Sequence, residues 1–278
     1  DYEKAIIYFN KSMSHSDANS LFYKTCYWKG EAYFSLKLYN AALESYNKIY
    51  QQDKQFYMES LYAQAYCYLK TNDYSTSIEK FKSVIQYHSD VKIIYDSYMR
   101  IGDAYFLLMN YELSVYFYEK ALKLSGFEDD YASYKKGTSY VLLVDYHNAI
   151  KSLNNLIQSY PNSNYVDDAI FDLGNVYILS RNFDLAINSF LKLIRDFPKS
   201  LFYSNSKLKL GLVYYLQEKD KKALDILNDV VLEFPNTQTA NEALNIIQNI
   251  YNDSGQAGEF LKLIQNLNHD YTKSELDS

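Results

Sequence analysis

Glycine, proline, cysteine and tryptophan are scarce in this chain. Only 8 Gly and 3 Pro occur among 278 residues, whereas a doubly wound sheet or a β-sandwich needs many turns built on these residues. We therefore expect helices to dominate. The 2 Cys are too few for a disulfide framework. No window approaches about 18 uncharged apolar residues, so we expect no membrane span.

Excess positive charge is also missing. The chain has 28 Lys and Arg against 34 Asp and Glu, a net charge of −6, and its basic residues are scattered. A nucleic-acid-binding protein usually shows a basic excess or a basic stripe, so we expect no nucleic acid among the partners. With 48% hydrophobic and 22% charged residues, the composition is that of a folded globular protein and excludes a disordered chain.

The three prolines are regularly spaced. Pro161, Pro198 and Pro235 are 37 residues apart, and each follows an aromatic residue and precedes Ser or Thr by two residues. Such a segment ends one helix and supplies a cap for the next. The spacing therefore predicts a helix boundary at each proline and a structural repeat between them.

Small residues recur with the same period. Steps of 35 or 37 residues separate what we call the small-residue positions: Gly30, Ala65, Gly102, Gly137, Gly174 and Gly211. A Tyr follows each of them by three residues, Ala or Ser by twelve, and an aromatic residue or Leu by sixteen. Because spacings of three and four are helical, each period predicts two antiparallel helices that approach closely at the small residue.

This combination of Gly, Tyr, Ala, aromatic residue and Pro resembles the tetratricopeptide repeat (TPR). The resemblance covers nearly the whole chain and implies an all-α fold, a right-handed α-solenoid of tandem helix-turn-helix repeats with about 14–15 helices. The predicted repeats are residues 19–55, 56–90, 91–127, 128–163, 164–200 and 201–237.

Both ends depart from the repeat. Residues 2–13 are predicted to be the second helix of an incomplete repeat, with Ile6, Ile7 and Phe9 among polar residues. Such an uncovered apolar face predicts a homo-oligomer through this helix, or docking on upstream repeats. Residues 238–267 are predicted to form a degenerate seventh repeat, followed by a tail, 268–278.

Chemistry-bearing clusters are absent from the sequence. No His, Cys, Asp or Glu set has metal-ligand spacing, and no glycine-rich loop could hold a phosphate. We therefore predict no enzymatic activity, no cofactor and no metal. Cys26 and Cys67 are expected to be buried free thiols.

The resemblance implies a partner-binding groove on the concave side. In the family, residues three before the small-residue position, and one, four and five after it, face inward. The predicted groove residues are Tyr27, Glu31, Phe34, Tyr62, Tyr66, Met99, Asp103, Phe106, Tyr134, Phe171, Asn175 and Ile178. The Lys, Arg and Asn clamp with which some members hold chaperone tails is missing. Aromatic residues flanked by acids instead favour an apolar or Tyr-containing basic segment of a protein partner.

Three functions remain open from the sequence. The first is a protein-binding scaffold with this groove. The second is an architectural or self-associating segment of a longer chain, in which the aromatic residues pack between repeats. The third is a regulatory repeat domain of an enzyme whose catalytic part lies outside this chain. The period and the aromatic-Pro-x-Ser ends resemble repeat arrays of bacterial envelope proteins, such as the barrel-assembly lipoprotein and the Tol-Pal coordinator, which implies a periplasmic or envelope location.

Overall fold

The computed structural model of the chain describes residues 1–13, 20–51, 53–124, 129–263 and 265. Regular structure in these ranges is helical, without a strand, which confirms the predicted all-α class. No helix in this part of the chain is long and apolar enough to cross a membrane. The predicted tail, residues 268–278, lies outside the described residues.

The helices follow one another with short connections. In chain order they are Tyr2–Met13 (α1), Ser20–Ser35 (α2), Tyr39–Tyr46 (α3), Lys54–Lys70 (α4), Tyr74–Tyr87 (α5), Val91–Leu107 (α6), Tyr111–Leu122 (α7), Asp130–Leu142 (α8), Tyr146–Ser159 (α9), Val166–Leu179 (α10), Phe183–Asp196 (α11), Tyr203–Leu216 (α12), Asp220–Glu233 (α13) and Gln238–Asp253 (α14). A further helical stretch, residues 257–263, follows α14.

The chain divides into two compact units, Asp1–Asp145 and a second that begins at Tyr146. In the first unit each helix from α1 to α7 packs on the next one, and α2 also contacts α4. In the second unit each helix from α9 to α14 packs on its successor, and α12 also contacts α14. Each unit thus stacks helices in the order of the sequence, as repeats of a solenoid do.

The N-terminal helix α1 packs on α2 through one side only. Ile6 is buried, and the Ser12 hydroxyl lies 3.4 Å from that of Thr25 on α2. On another side Ile7 is 56% exposed and Tyr8 is 69% exposed. Helix α1 therefore keeps apolar surface in solvent.

Each turn within a repeat contains one residue in the left-handed region. These residues follow the small-residue positions by seven and have φ between 57° and 63°: Lys37, Asn72, Met109, Val144, Arg181 and Glu218. The next amide donates to the carbonyl of the Tyr that follows the small-residue position by three, as Leu38 does to Tyr33 at 2.9 Å. This pattern closes the helix as a Schellman motif.

Several glycines at the small-residue positions make room for a large side chain of the second helix. A Cβ atom added to three of these glycines would lie closer than 3.0 Å to a ring of the second helix, the pairs being Gly30 with Tyr46, Gly102 with Tyr118 and Gly174 with Phe190. The predicted close approach of the two helices is confirmed at these positions.

The two cysteines are free and buried, as the sequence predicts. Cys67 packs against Ala42, Tyr46 and Ala63 in the core of the first unit. Burial there raises the pKa of the Cys67 thiol to about 12. The thiol is therefore protonated at neutral pH and serves as a small apolar side chain.

Candidate functional site

The predicted groove residues all lie on first helices of repeats. In the first unit they are on α2 (Tyr27, Glu31, Phe34), α4 (Tyr62, Tyr66), α6 (Met99, Asp103, Phe106) and α8 (Tyr134), and in the second unit on α10 (Phe171, Asn175, Ile178).

Residues three before the small-residue position pack between successive repeats. The Phe171 ring stacks on that of Phe202 with centroids 4.7 Å apart, and the Tyr27 ring lies 5.8 Å from that of Phe56. Met99 is 3% exposed in the core of α6, α7 and α8. Met99 is therefore a core residue rather than an exposed groove residue.

An open pocket of about 220 Å³ lies between α2 and α4 of the first unit. It is lined by Tyr27, Glu31, Phe34, Tyr62, Ala63 and Tyr66. All of these except Ala63 are predicted groove residues. The Tyr62 and Tyr66 rings meet edge to face with centroids 5.1 Å apart, so the pocket offers aromatic edges and faces to a ligand.

The acids next to the small residues bind tyrosines of the core. Tyr46 is fully buried and donates its hydroxyl to Glu31 Oε1 at 2.6 Å. Tyr118 is also fully buried and donates to Asp103 Oδ1 at 2.7 Å. Because a buried hydroxyl needs a hydrogen-bond partner, these two acids have a structural role. They are not placed mainly to attract a cationic segment.

Asp96 connects α4 with α6. Its Oδ2 accepts hydrogen bonds from the hydroxyls of Tyr62, at 2.7 Å, and Tyr66. Its Oδ1 accepts from Arg100 Nε at 3.2 Å, and the same guanidinium pairs with Asp103. The first-helix face thus carries two carboxylates that share one arginine.

Asp103 extends this network to α7 and α8. Besides Tyr118, the Tyr131 hydroxyl donates to Asp103 Oδ1 at 2.8 Å. Burial is the main cause that raises the pKa of Tyr62, Tyr66 and Tyr118, and the neighbouring carboxylates add to it. These hydroxyls therefore remain protonated donors at neutral pH, and the groups of the network satisfy one another.

A second open cleft, of about 420 Å³, lies beside the network between α4, α6 and α8. Its lining includes apolar and basic side chains: Leu69, Phe106 and Leu107, and Lys70, Arg100 and Lys135. The Lys135 ammonium lies 3.7 Å from the centre of the Phe106 ring. Burial lowers the pKa of Lys135, and Asp103 partly offsets that effect.

Arg100 and Lys135 were not among the predicted site residues. Arg100 follows Asp96 by four residues and precedes Asp103 by three, so helical ion-pair spacing was a usable signal. Lys135 has no equivalent signal, because its position over Phe106 depends on the contact between two helices that are distant in sequence.

The candidates of the second unit mainly serve the core. Phe171 and Ile178 pack against the buried cluster that contains Ala186 and Phe190. Asn175 is half-buried on the same helix. Tyr134, on α8 of the first unit, is half-buried as well. The predicted residues of α2 and α4, together with Asp103 and Phe106 of α6, therefore line open clefts, whereas Met99, Phe171 and Ile178 contribute to the core.

Metal binding has no visible basis in the described part of the chain. No group of three His, Cys, Asp or Glu residues there is placed to hold an ion. The absence of a metal, a cofactor and an enzymatic activity stays a prediction.

Solved structures similar to this chain are repeat proteins. The C-terminal part of a TPR repeat-containing protein from Cytophaga hutchinsonii matches with a TM-score of 0.71 and 18% identity, covering 87% of this chain and 94% of that chain. MamA (41-end) from Desulfovibrio magneticus RS-1 matches with a TM-score of 0.54 and 20% identity, covering 65% and 96%. At these identities the likeness shows the fold alone. No sequence among curated proteins matches the chain.

Family models for the tetratricopeptide repeat match six segments of the sequence. The matched residues are 23–56, 59–90, 95–127, 131–163, 168–200 and 206–237. They cover more than half of the chain, and each includes parts of both helices of one repeat. Repeats of this kind build surfaces for protein–protein interaction, which supports a protein-interaction scaffold. The chain belongs to the tetratricopeptide repeat family.

Proposed function

We propose that this protein is a non-catalytic scaffold that binds a peptide or an extended protein segment along the first helices of its N-terminal repeats. The observation that carries the proposal is that the α2–α4 pocket and the cleft of α4, α6 and α8 both lie on the first helices of repeats. Helix α4 contributes to both, with Tyr66 in the α2–α4 pocket and Leu69 in the cleft of α4, α6 and α8. An extended segment can therefore contact both clefts at once.

The lining of the clefts suits binding. Tyr27, Phe34 and Tyr62 offer rigid aromatic contact area, which is gained at low cost in side-chain entropy. Leu69 and Leu107 add apolar surface. A small number of polar groups among apolar ones is typical of sites that orient a ligand.

The carboxylates near the clefts are poor candidates for catalysis. A catalytic acid or base must exchange a proton with a substrate. Asp96 and Asp103 instead accept hydrogen bonds from tyrosines and pair with Arg100. This engagement supports binding rather than chemistry at this face.

Site-specific photo-crosslinking tests the proposal. A benzophenone amino acid would replace Phe34 in the α2–α4 pocket or, as the matched control, Tyr116, which is 49% exposed on the second helix α7. In extracts of the source cells we expect a protein partner to crosslink from position 34 and not from position 116. Crosslinking from position 116 alone, or from neither position, would contradict the proposal.

One observation favours the alternative of a self-associating array. Helix α1 exposes Ile7 and Tyr8 to solvent, and a second copy of the chain would cover them. Self-association through α1 is compatible with the scaffold function.

We further propose that the scaffold acts in a bacterial envelope, the location that the repeat period suggests. Fractionation of the source cells tests this proposal. We expect the protein with a periplasmic marker, and its recovery with cytoplasmic enzymes would contradict the proposal.

A further inference from the structure

We infer that the cleft between α4, α6 and α8 binds an acidic segment of the partner protein, with a carboxylate of that segment paired to Lys135. The inference rests on the proposed scaffold function and names the chemistry of its ligand. It reverses the preference for a cationic segment that the acids of the first helices suggest in the sequence.

The carboxylates at the cleft already have donors. Asp103 Oδ1 accepts from the Tyr118 and Tyr131 hydroxyls, at 2.7 and 2.8 Å, and Oδ2 is paired with Arg100. Asp96, behind the cleft, accepts from Arg100 at 3.2 Å and from two tyrosines through its other oxygen. A lysine or arginine of a partner would have to displace one of these donors, which makes a cationic ligand unfavourable.

Lys135 lies beside this network, but its ammonium is not hydrogen-bonded to it. The side chain is half-buried over the Phe106 ring, and its ammonium makes no hydrogen bond or ion pair within the described part of the chain. A desolvated ammonium without an acceptor is costly, and a carboxylate that reaches it forms a charge-assisted hydrogen bond. Lys70 lies on the same cleft, so the lining has three basic groups and one carboxylate.

The apolar part of the cleft indicates which residues should flank the carboxylate of the ligand. Leu69, Phe106 and Leu107 line it beside the basic groups. An acidic residue next to an apolar or aromatic one therefore matches the cleft. The volume of about 420 Å³ holds side chains of a peptide, within the range of small-ligand pockets.

Three labelled peptides of about twelve residues test the inference by fluorescence polarisation with the full chain. They share the same Phe and Leu positions and carry Glu, Gln or Lys at all others. We expect the Glu peptide to bind about tenfold more tightly than the Gln and Lys peptides at low salt. The difference should shrink as salt is added, because partly exposed charges are screened.

Two charge-reversal variants locate the binding. Lys135→Glu should weaken binding of the Glu peptide about tenfold or more. Lys120→Glu is the matched control, because Lys120 also lies over a ring, 5.2 Å from that of Tyr116, but on α7 away from the cleft. It changes the net charge equally and should alter binding less than about twofold. In the wild type, the Glu peptide should also protect Lys135 from acetylation.

Several outcomes would overturn the inference. They are tighter binding of the Lys peptide, equal losses in the two variants, no binding of the Glu peptide at about 1 mM, no protection of Lys135, or tighter binding of a single-stranded oligothymidylate. The scaffold proposal can survive the failure of this inference. If the Lys peptide binds and Phe106→Ala abolishes that binding, the acidic preference is wrong while the scaffold proposal stands.

Discussion

At the scale of single residues, the contact between paired helices is the most constrained feature. Gly174 lies under the Phe190 ring, with no room for a Cβ atom. Gly174→Leu should overpack this contact and lower the free energy of unfolding by about 1–3 kcal/mol or more, as measured by chemical denaturation. Gly258→Leu is the control, since a Cβ there meets nothing within 4 Å. An unchanged midpoint for Gly174→Leu would contradict the packing of α10 on α11.

The two partners of the Tyr46–Glu31 hydrogen bond should differ in how much stability is lost when each is replaced. Glu31→Leu leaves a buried hydroxyl without an acceptor and should cost about 1–3 kcal/mol. Tyr46→Phe removes the hydroxyl and should cost about 0.5–1.5 kcal/mol. The double variant should resemble Tyr46→Phe alone, because no unsatisfied group remains. Strictly additive losses in the denaturation cycle would show that the two side chains act independently.

Asp129 should make the stability of the fold depend on pH. It is 9% exposed beside α8, and its Oδ1 has no hydrogen-bond partner among the described residues. Burial raises the pKa of this carboxyl, a hydrogen bond from Tyr95 lowers it, and Asp130 raises it further. The folded state therefore holds the proton more tightly than the unfolded state, and stability falls as the pH rises above the unfolded-state pKa of about 4.

Replacement of Asp129 by Asn removes this titration. Asp129→Asn should raise the melting temperature at about pH 7 and give no gain at about pH 3, where the wild-type carboxyl is protonated in both states. Asp90→Asn is the control, because Asp90 is exposed and caps α6 by accepting from Lys92 N. Equal gains of Asp129→Asn at both pH values would contradict the assignment.

At the scale of elements, the turns store backbone strain. Val144 has φ 60° and is β-branched, and the left-handed region costs about 1–2 kcal/mol for a residue with a Cβ. Val144→Gly should therefore raise the free energy of unfolding by up to about 1 kcal/mol, after the entropy cost of glycine. Leu142→Gly, in the last turn of α8, should lower it, since its backbone is helical. A loss of stability in both variants would contradict the strained turn.

The left-handed conformation in these turns could not be predicted from residue type. In the turns within repeats only Asn72 is of a residue type that favours this conformation, whereas Lys37, Met109, Val144 and Arg181 are not. The conformation follows from the helix pair, which must reverse direction within a few residues. Helix pairing was predictable from the period, whereas the residue that absorbs the strain was not.

At the scale of the whole molecule, α1 predicts concentration-dependent association. Ile7→Lys should reduce the average mass measured by light scattering at high protein concentration, because it puts a charge on the exposed apolar side of α1. Asn10→Lys, at an exposed polar position of the same helix, should leave the mass unchanged. A wild-type protein that stays monomeric at every concentration would contradict self-association through α1.

The all-α class, the pairing of helices at small residues and the family follow from the sequence alone. These properties depend on spacings within one repeat, where the geometry of the α-helix converts sequence separation into position. The hydrogen bond between Glu31 and Tyr46 was also predictable from the sequence. It recurs in Asp103 and Tyr118, so an acid one residue after the small position and a Tyr sixteen after it were a usable signal.

The charges that are available for a partner depend on how the repeats pack on one another. Tyr131 reaches Asp103 from another repeat, and Lys135 comes to lie over Phe106 without an acceptor. Met99, predicted to face a groove, is instead closed in by the neighbouring repeat. The sequence period specifies each repeat, but hydrogen bonds and charge pairing between repeats depend on distances of a few ångströms that stacking alone sets.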